Sequence, residues 1–155
     1  MNLIIDADAS PVQQEVMDIA NRYKLEVIIV KSYSHFSPDE LPSHVSVQYV
    51  DKGAEMADYK IIALAQKGDV IITQDYGLAS VVLGKGCYAV HHKGFQYTDK
   101  NIEQLLASRH ANAMARRGGY RTKGPKPFTK EDRTVFSTRF ERFINQIITD
   151  EESTS

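Results

Sequence analysis

Short apolar runs alternate with longer amphipathic segments in the first half of the chain. The runs are rich in Ile and Val, as in strands buried on both faces, except at 45–50, where alternating polar positions indicate an edge strand. Strands are predicted at 2–5, 25–30, 45–50, 70–73 and 87–90. Apolar spacings of three and four predict helices at 10–24, 54–67 and 76–83. Strands that alternate with helices predict an α/β protein with a mostly parallel sheet.

Helix-start signals mark three places along the chain. Ser10 before Pro11 predicts an N-cap, and Thr98 predicts the cap of a helix over 99–117. Thr129 opens a further helix. This helix carries an apolar stripe made of Phe136, Phe140, Phe143 and Ile147. We expect the stripe to dock on the sheet.

Length and composition indicate one folded domain. The chain has 155 residues, of which 42% are hydrophobic and 25% are charged. We expect a single domain over 1–148, which includes a basic Gly/Pro loop at 116–128, and a disordered acidic tail at 149–155. The first apolar run is too short for a signal peptide or a membrane span, and the single cysteine, Cys87, excludes an intramolecular disulfide. We therefore expect a cytoplasmic protein that has no membrane association.

Charge is distributed unevenly along the chain. Residues 1–84 contain 6 Lys and Arg against 12 Asp and Glu, whereas residues 85–142 contain 13 against 5. This asymmetry suggests a polyanionic partner for the basic half and a cation near the acidic half. The alternative is that the two halves neutralise each other through surface ion pairs.

Four aspartates lie at or near the carboxyl ends of the predicted parallel strands. Asp6 and Asp8 follow the first strand, Asp75 follows the strand at 70–73, and Asp58 lies in the first turns of the preceding helix. Ligands of open parallel sheets bind beyond the carboxyl ends of the strands. Carboxylates at one edge repel each other unless a cation neutralises them, and oxygen ligands favour Mg²⁺ or Mn²⁺.

These residues resemble two groups of proteins. The segments ADYKIIALA (57–65) and GDVIITQDYGLA (68–79) resemble the second half of a PIN-domain nuclease, in which an acid opens a helix and a strand ends in T-x-D. The chain resembles the bacterial YaiI/YqxD family of uncharacterised PIN-like proteins over residues 1 to about 145. This resemblance rests on DADASPV (6–12), QDYGLA (74–79) and RGGYRTKGPK (117–126).

The resemblance implies a three-layer PIN-like α/β fold, with a central, mostly parallel sheet and a basic helical C-terminal segment packed on it. It also implies that Asp6, Asp58 and Asp75 bind Mg²⁺ or Mn²⁺, with Asp8 a fourth candidate ligand. No residue clearly matches a helical Glu that many PIN nucleases carry, but Glu55 stands three residues before Asp58 and is a substitute. Asp8 or Glu55 would orient the attacking water.

A basic segment follows the predicted sheet. Residues 109–142 contain ten Lys and Arg against three acids, with glycines that allow close approach to phosphate. The nucleic-acid-binding candidates are Arg116, Arg117, Arg121, Lys123 and Lys126. Tyr120 and Phe128 are candidates for stacking on bases, and RNA is favoured over DNA. The alternative is a solubilising loop that pairs with the acidic half.

The favoured function is therefore a metal-dependent nuclease or phosphodiesterase that acts on RNA. One alternative is a HAD-like phosphohydrolase, since Asp6-Ala7-Asp8 imitates its nucleophile and acid–base pair. Another is a catalytically silent RNA-binding module. His35, His91 and His92 lack a metal-ligand spacing and are expected to be surface or core residues.

Overall fold

A five-stranded parallel sheet forms the centre of the computed structural model, which describes residues 1–38, 40–53, 55–117 and 127–154, without the side chains of 109–117 and 154. The strands are β1 (Asn2–Asp6), β2 (Glu26–Ser32), β3 (Val45–Val50), β4 (Val70–Ile72) and β5 (Tyr88–Val90). The helices are α1 (Gln13–Arg22), α2 (Met56–Leu64), α3 (Tyr76–Gly84), α4 (Asp99–Arg117) and α5 (Lys130–Thr154).

The strand order β3-β2-β1-β4-β5 creates a switch point between β1 and β4. The chain winds outward from β1 to β3 on one side, and from β4 to β5 on the other. Ile5 pairs with Ile72 across the switch point, so Asp6 and Thr73 are the next residues of the two strands. Ligands bind at such a point in open parallel sheets. The α/β fold predicted from the sequence is confirmed.

Side chains alternate between the two faces of the sheet, and each face has its own apolar core. Leu3 and Ile5 contribute to the core beneath α1 and α5, whereas Ile4 points into the core beneath α2, α3 and α4. The middle positions of β1, β2 and β4 are therefore apolar on both faces, as expected where helices cover both faces. The result is a three-layer architecture.

The final helix, α5, completes one of the outer layers. Phe136, Phe140, Ile144 and Ile147 are buried, which confirms the predicted docking of its apolar stripe. The helix continues to Thr154, although a disordered tail was expected from 149 onward. Two side-chain hydrogen bonds support the extension, from Gln146 Nε2 to Asp150 Oδ1 (2.9 Å) and from Ser153 Oγ to the Asp150 carbonyl (2.9 Å). Among the described residues, no helix combines the length and apolar character needed to cross a membrane.

Two of the three predicted caps are confirmed. Thr98 Oγ1 accepts from the backbone N–H of Asn101 (3.1 Å), and Thr129 Oγ1 accepts from that of Asp132 (3.1 Å). Asp132 Oδ2 accepts from the Thr129 N–H (2.9 Å), which completes a capping box.

The predicted N-cap at Ser10 was wrong. The 3₁₀ turn Ala7–Ala9 follows β1, and the Ser10 N–H closes it by donating to the Ala7 carbonyl (3.2 Å). Helix α1 begins only at Gln13, whose side-chain amide donates back to the carbonyls of Ala7 (3.1 Å) and Ser10 (3.3 Å). Helix α2 is also shorter than the predicted 54–67.

Candidate functional site

The Thr73 hydroxyl connects two of the predicted acids at the switch point. It donates to Asp6 Oδ2 (2.9 Å) and accepts from the backbone N–H of Asp75 (3.0 Å). Burial raises the pKa of Asp6, and the negative charges of Asp75 and Asp8 raise it further, against the hydrogen bond from Thr73. Asp6 and Asp75 thus occupy one electrostatic environment.

Asp75 also forms the N-cap of α3. Its Oδ1 accepts from the backbone N–H groups of Gly77 (2.8 Å) and Leu78 (3.1 Å). A Cβ atom at Gly77 would lie 3.2 Å from this oxygen, so the glycine allows the carboxylate to sit close to the helix end. The cap fixes the orientation of Asp75 relative to the sheet.

Asp58 approaches the same acids from the first turn of α2. Partial burial raises its pKa to about 6, and the charges of Asp75, Asp6 and Glu55 add to the effect. The charge of Asp75 therefore raises the pKa values of both Asp6 and Asp58. The prediction that the fold gathers Asp6, Asp58 and Asp75 in one region agrees with this coupling.

A cavity of about 220 Å³ lies beside these carboxylates. Its polar lining comes from Glu55, Asp58, Tyr59 and Asp75, while Ile62, Gly77, Leu78 and Val81 form the apolar part. The cavity thus combines negative charge with an apolar wall.

Glu55 stands at the edge of the cavity, immediately before α2. It is exposed, and its Oε2 accepts from the Tyr59 hydroxyl (3.0 Å). That hydrogen bond and the carboxylate charge raise the pKa of Tyr59. The charge of Glu55 also raises the pKa of Asp58, and its predicted role as a substitute for the missing helical Glu stays a prediction.

Asp8 is held by the segment that follows β2. Its carboxylate accepts from the Ser32 backbone N–H (3.0 and 3.2 Å) and contacts His35 Nδ1 (2.8 Å). It does not line the cavity formed by Asp58 and Asp75. Asp8 consequently fixes the turn after β2, and its predicted part in orienting a water remains a prediction.

The donor chemistry of the site suits a hard divalent cation. Within the described ranges, no Lys, Arg or His forms an ion pair with Asp6, Asp58 or Asp75. The described residues contain no group of three Asp, Glu, His or Cys side chains already arranged to hold an ion. Thr73 occupies one oxygen of Asp6, and the α3 amides occupy one oxygen of Asp75. The remaining carboxylate oxygens are the candidates for holding Mg²⁺, which prefers oxygen ligands and keeps several waters.

Aromatic residues form a buried wall behind Thr73. The Tyr97 hydroxyl donates to the Thr73 carbonyl (3.1 Å), and Tyr97 stacks edge-on with Phe95 and His91. Burial lowers the pKa of His91 to about 3, and its Nδ1 accepts from the Lys93 N–H (3.0 Å). The sequence analysis did not identify Tyr97, because no neighbouring residue indicates that its hydroxyl bonds to the distant Thr73 carbonyl.

The basic segment lies mostly outside the described residues. Arg116 and Arg117 form the end of α4, although their side chains are not described. Arg121, Lys123 and Lys126 fall at positions that the structure does not describe, so their predicted contacts with nucleic acid stay predictions. Phe128 packs against the core, with His92 edge-on (5.4 Å) and Arg133 over its ring (5.3 Å). Its ring is therefore engaged within the protein.

Comparison with known proteins places the whole domain in one family. The family model described as "Uncharacterized BCR, YaiI/YqxD family" matches residues 4–146. A UPF0178 protein of Bacillus cereus strain AH187 is 54% identical over 144 residues, which cover 93% of this chain and 99% of that protein. A UPF0178 protein of Oceanobacillus iheyensis is 52% identical over 146 residues, which cover 94% of this chain and 100% of that protein. No solved structure matches the chain. The chain therefore belongs to the YaiI/YqxD family, as the motifs at 6–12, 74–79 and 117–126 predicted.

Proposed function

We propose that this protein is a metal-dependent phosphodiesterase that cleaves RNA. The observation that carries the proposal is that the charge of Asp75 raises the pKa values of both Asp6 and Asp58, while none of the three aspartates has a cationic partner among the described residues. Uncompensated acids at a ligand-binding edge are typical of functional sites.

In this proposal the three aspartates hold Mg²⁺ or Mn²⁺, through the oxygens that Thr73 and the α3 amides leave available. A bound divalent ion polarises a phosphoryl oxygen and lowers the pKa of water. Glu55 stands at the rim of the cavity lined by Asp58. In this proposal Glu55 or Asp8 orients the attacking water, while Thr73 keeps Asp6 oriented through its hydroxyl.

Charge complementarity supports a polyanionic substrate. Residues 85–142 have 13 Lys and Arg against 5 acids, which attracts a phosphate backbone toward the protein. Asp6, Asp58 and Asp75 would repel a phosphate placed among them unless a cation is bound there. A nucleic acid bridging the two parts would therefore engage the carboxylates through a metal ion.

The proposal is tested with the purified full chain and a 5′-labelled RNA oligomer, in Mn²⁺ or Mg²⁺ and in EDTA. We expect cleavage only with the metal, and Asp6→Asn or Asp58→Asn should slow it about a hundredfold or more. The control is Asp18→Asn, which changes an exposed aspartate on α1 and should cleave like the unmodified protein.

Two other results would replace this proposal. RNA binding without cleavage, insensitive to metal and retained in Asp6→Asn and Asp75→Asn, would make the protein a silent binding module. Hydrolysis of a phosphate monoester with a trapped phospho-aspartate at Asp6 would make it a HAD-like phosphohydrolase. Cleavage that persists undiminished in EDTA would also contradict the metal requirement.

A further inference from the structure

Three neighbouring aromatic rings, two of them exposed, form a surface beside β2 and β3, here called the aromatic shelf and defined as Tyr33, Phe36 and the half-buried Tyr49. The rings of Tyr33 and Tyr49 stack with centroids 5.3 Å apart at 14°, and Phe36 lies 5.4 Å from Tyr49 at 41°. Tyr33 is 59% exposed and Phe36 is 63% exposed. Lys31 Nζ lies 5.7 Å from the centre of the Tyr49 ring. The shelf thus presents the exposed rings of Tyr33 and Phe36 beside a cation, while the Tyr49 ring supports them from below.

The aromatic shelf lies outside the apolar cores of the protein. None of its three rings belongs to, or packs against, either of the two core clusters formed by the described residues. Large aromatic side chains usually bury their apolar area, and contiguous exposed apolar surface is typical of interaction sites. The shelf is therefore available to a ligand.

The aromatic shelf is fixed in place by the turn that carries it. The 3₁₀ turn Tyr33–His35 directly follows β2, and Asp8 binds both Ser32 and His35 at its base. Asp8 follows Asp6 by two residues, and Asp6 pairs in register with Val30 of β2. The shelf and the carboxylates of the proposed site therefore lie at the same edge of the sheet.

We propose that the aromatic shelf binds the bases of single-stranded nucleic acid. Every base has a flat π face that stacks on exposed Tyr and Phe rings, and Lys31 supplies a positive charge suited to the adjoining phosphate. In a duplex the base faces are already stacked on one another, so the shelf selects unpaired strands. This inference rests on the proposed function and deepens it, because it makes the substrate a single strand that is held beside the carboxylates.

A fluorescence experiment tests the proposal directly. The chain contains no Trp, so Phe36→Trp introduces a single reporter on the shelf. Titration with a uridine oligomer in EDTA should quench its emission, because a base stacks on the indole. The matched control is Asn21→Trp, at an exposed position of α1 outside the basic segment, whose emission should not change.

Binding measurements supply a second readout. By fluorescence anisotropy in EDTA, Tyr33→Ala combined with Phe36→Leu should weaken the affinity for the oligomer about tenfold or more, whereas Tyr33→Phe should retain it. Circular dichroism verifies that each variant is folded. A duplex of the same sequence should bind more weakly than the single strand.

Three results would overturn the proposal. They are absence of binding by the folded unmodified protein, binding without quenching in Phe36→Trp, and an affinity that the double substitution leaves unchanged. A dimer in sedimentation that the double substitution dissociates, with no effect on the oligomer, would assign the shelf to a second copy of the chain instead. All of these binding measurements omit the divalent ion. They therefore test base binding by the shelf independently of RNA cleavage, and either proposal can fail while the other holds.

Discussion

At the scale of single residues, Thr73 shows how one small side chain organises the site. Its hydroxyl donates to Asp6 and accepts from the Asp75 N–H, while its carbonyl accepts from Tyr97. The donated bond partly offsets the burial that raises the pKa of Asp6. Such bonds to a charged group are stronger than bonds between neutral groups. Thr73 therefore reduces the energetic cost of burying the ionised Asp6 carboxylate near other acids.

Asp58 is expected to reduce stability at neutral pH. Its pKa rises from 3.8 to about 6 on folding, so the folded state binds the proton more tightly than the unfolded state. The associated stability is present below the unfolded pKa and is lost as the pH rises through about 6. Asp58→Asn should therefore raise the melting temperature above pH 7 in EDTA, and the gain should shrink toward pH 4.

Thermal unfolding across this pH range checks the prediction. Asp18→Asn is the control and should show no comparable pH-dependent gain, because that aspartate is exposed and lies on α1. A gain from Asp58→Asn that is the same at both ends of the range would contradict the argument. A gain confined to high pH would show that stability and the proposed metal binding oppose each other at this residue.

At the scale of elements, α5 holds the layer that covers one face of the sheet. Phe136 and Phe140 are fully buried and stack with centroids 5.1 Å apart. Arg22 on α1 binds Glu141 at 2.8 Å, but this exposed pair adds little to stability. The apolar stripe is therefore the main contact that attaches the helix.

Phe140→Ala should destabilise the fold by about 3–5 kcal/mol, because it removes a buried ring and leaves a cavity between α5 and the sheet. Urea unfolding followed by circular dichroism measures the change. Val135→Ala is the control on the same helix, and it should cost less than about 1 kcal/mol because Val135 is exposed. Similar losses in both variants would mean that α5 is attached in another way.

At the scale of the whole molecule, strand order determines where charge and chemistry accumulate. The switch point brings the ends of β1 and β4 together, while β5 places His91 beside the aromatic wall behind them. The pKa of Asp6 is raised, whereas the pKa of His91, which packs against Tyr97 behind Thr73, is lowered. Acidification therefore increases the contribution of Asp6 to stability and decreases that of His91.

His91 is expected to contribute to acid unfolding. Burial lowers its pKa from 6.5 to about 3, so the unfolded state binds the proton more readily. Stability from this group is fully present above pH 6.5 and is lost as the pH falls toward 3. Between about pH 7.5 and pH 5 the loss should reach about 2 kcal/mol.

Urea unfolding of the unmodified protein and of His91→Gln at the two pH values isolates this contribution, since the other titrating groups are common to both. The substitution should remove most of the pH-dependent loss, even if it lowers stability at both values. An equal loss in the two proteins would show that His91 does not couple to folding.

The sequence by itself determined the features that depend on neighbouring residues. The alternation of apolar runs and helical spacings predicted the parallel α/β sheet, and Thr98 and Thr129 predicted their caps, because a cap bonds within one turn of its own residue. The T-x-D pattern indicated that Thr73 and Asp75 share a face. The motif at 117–126 indicated the family.

Only the tertiary structure decided which distant groups meet. It turned Asp8 toward Ser32 and His35, brought Asp58 near Asp75, and left the rings of Tyr33 and Phe36 exposed. The pattern of apolar residues indicates which face of a strand is buried, but it does not indicate which strands are its neighbours in the sheet. The neighbours of a side chain at the carboxyl edge therefore follow from strand order and register, which long-range packing sets.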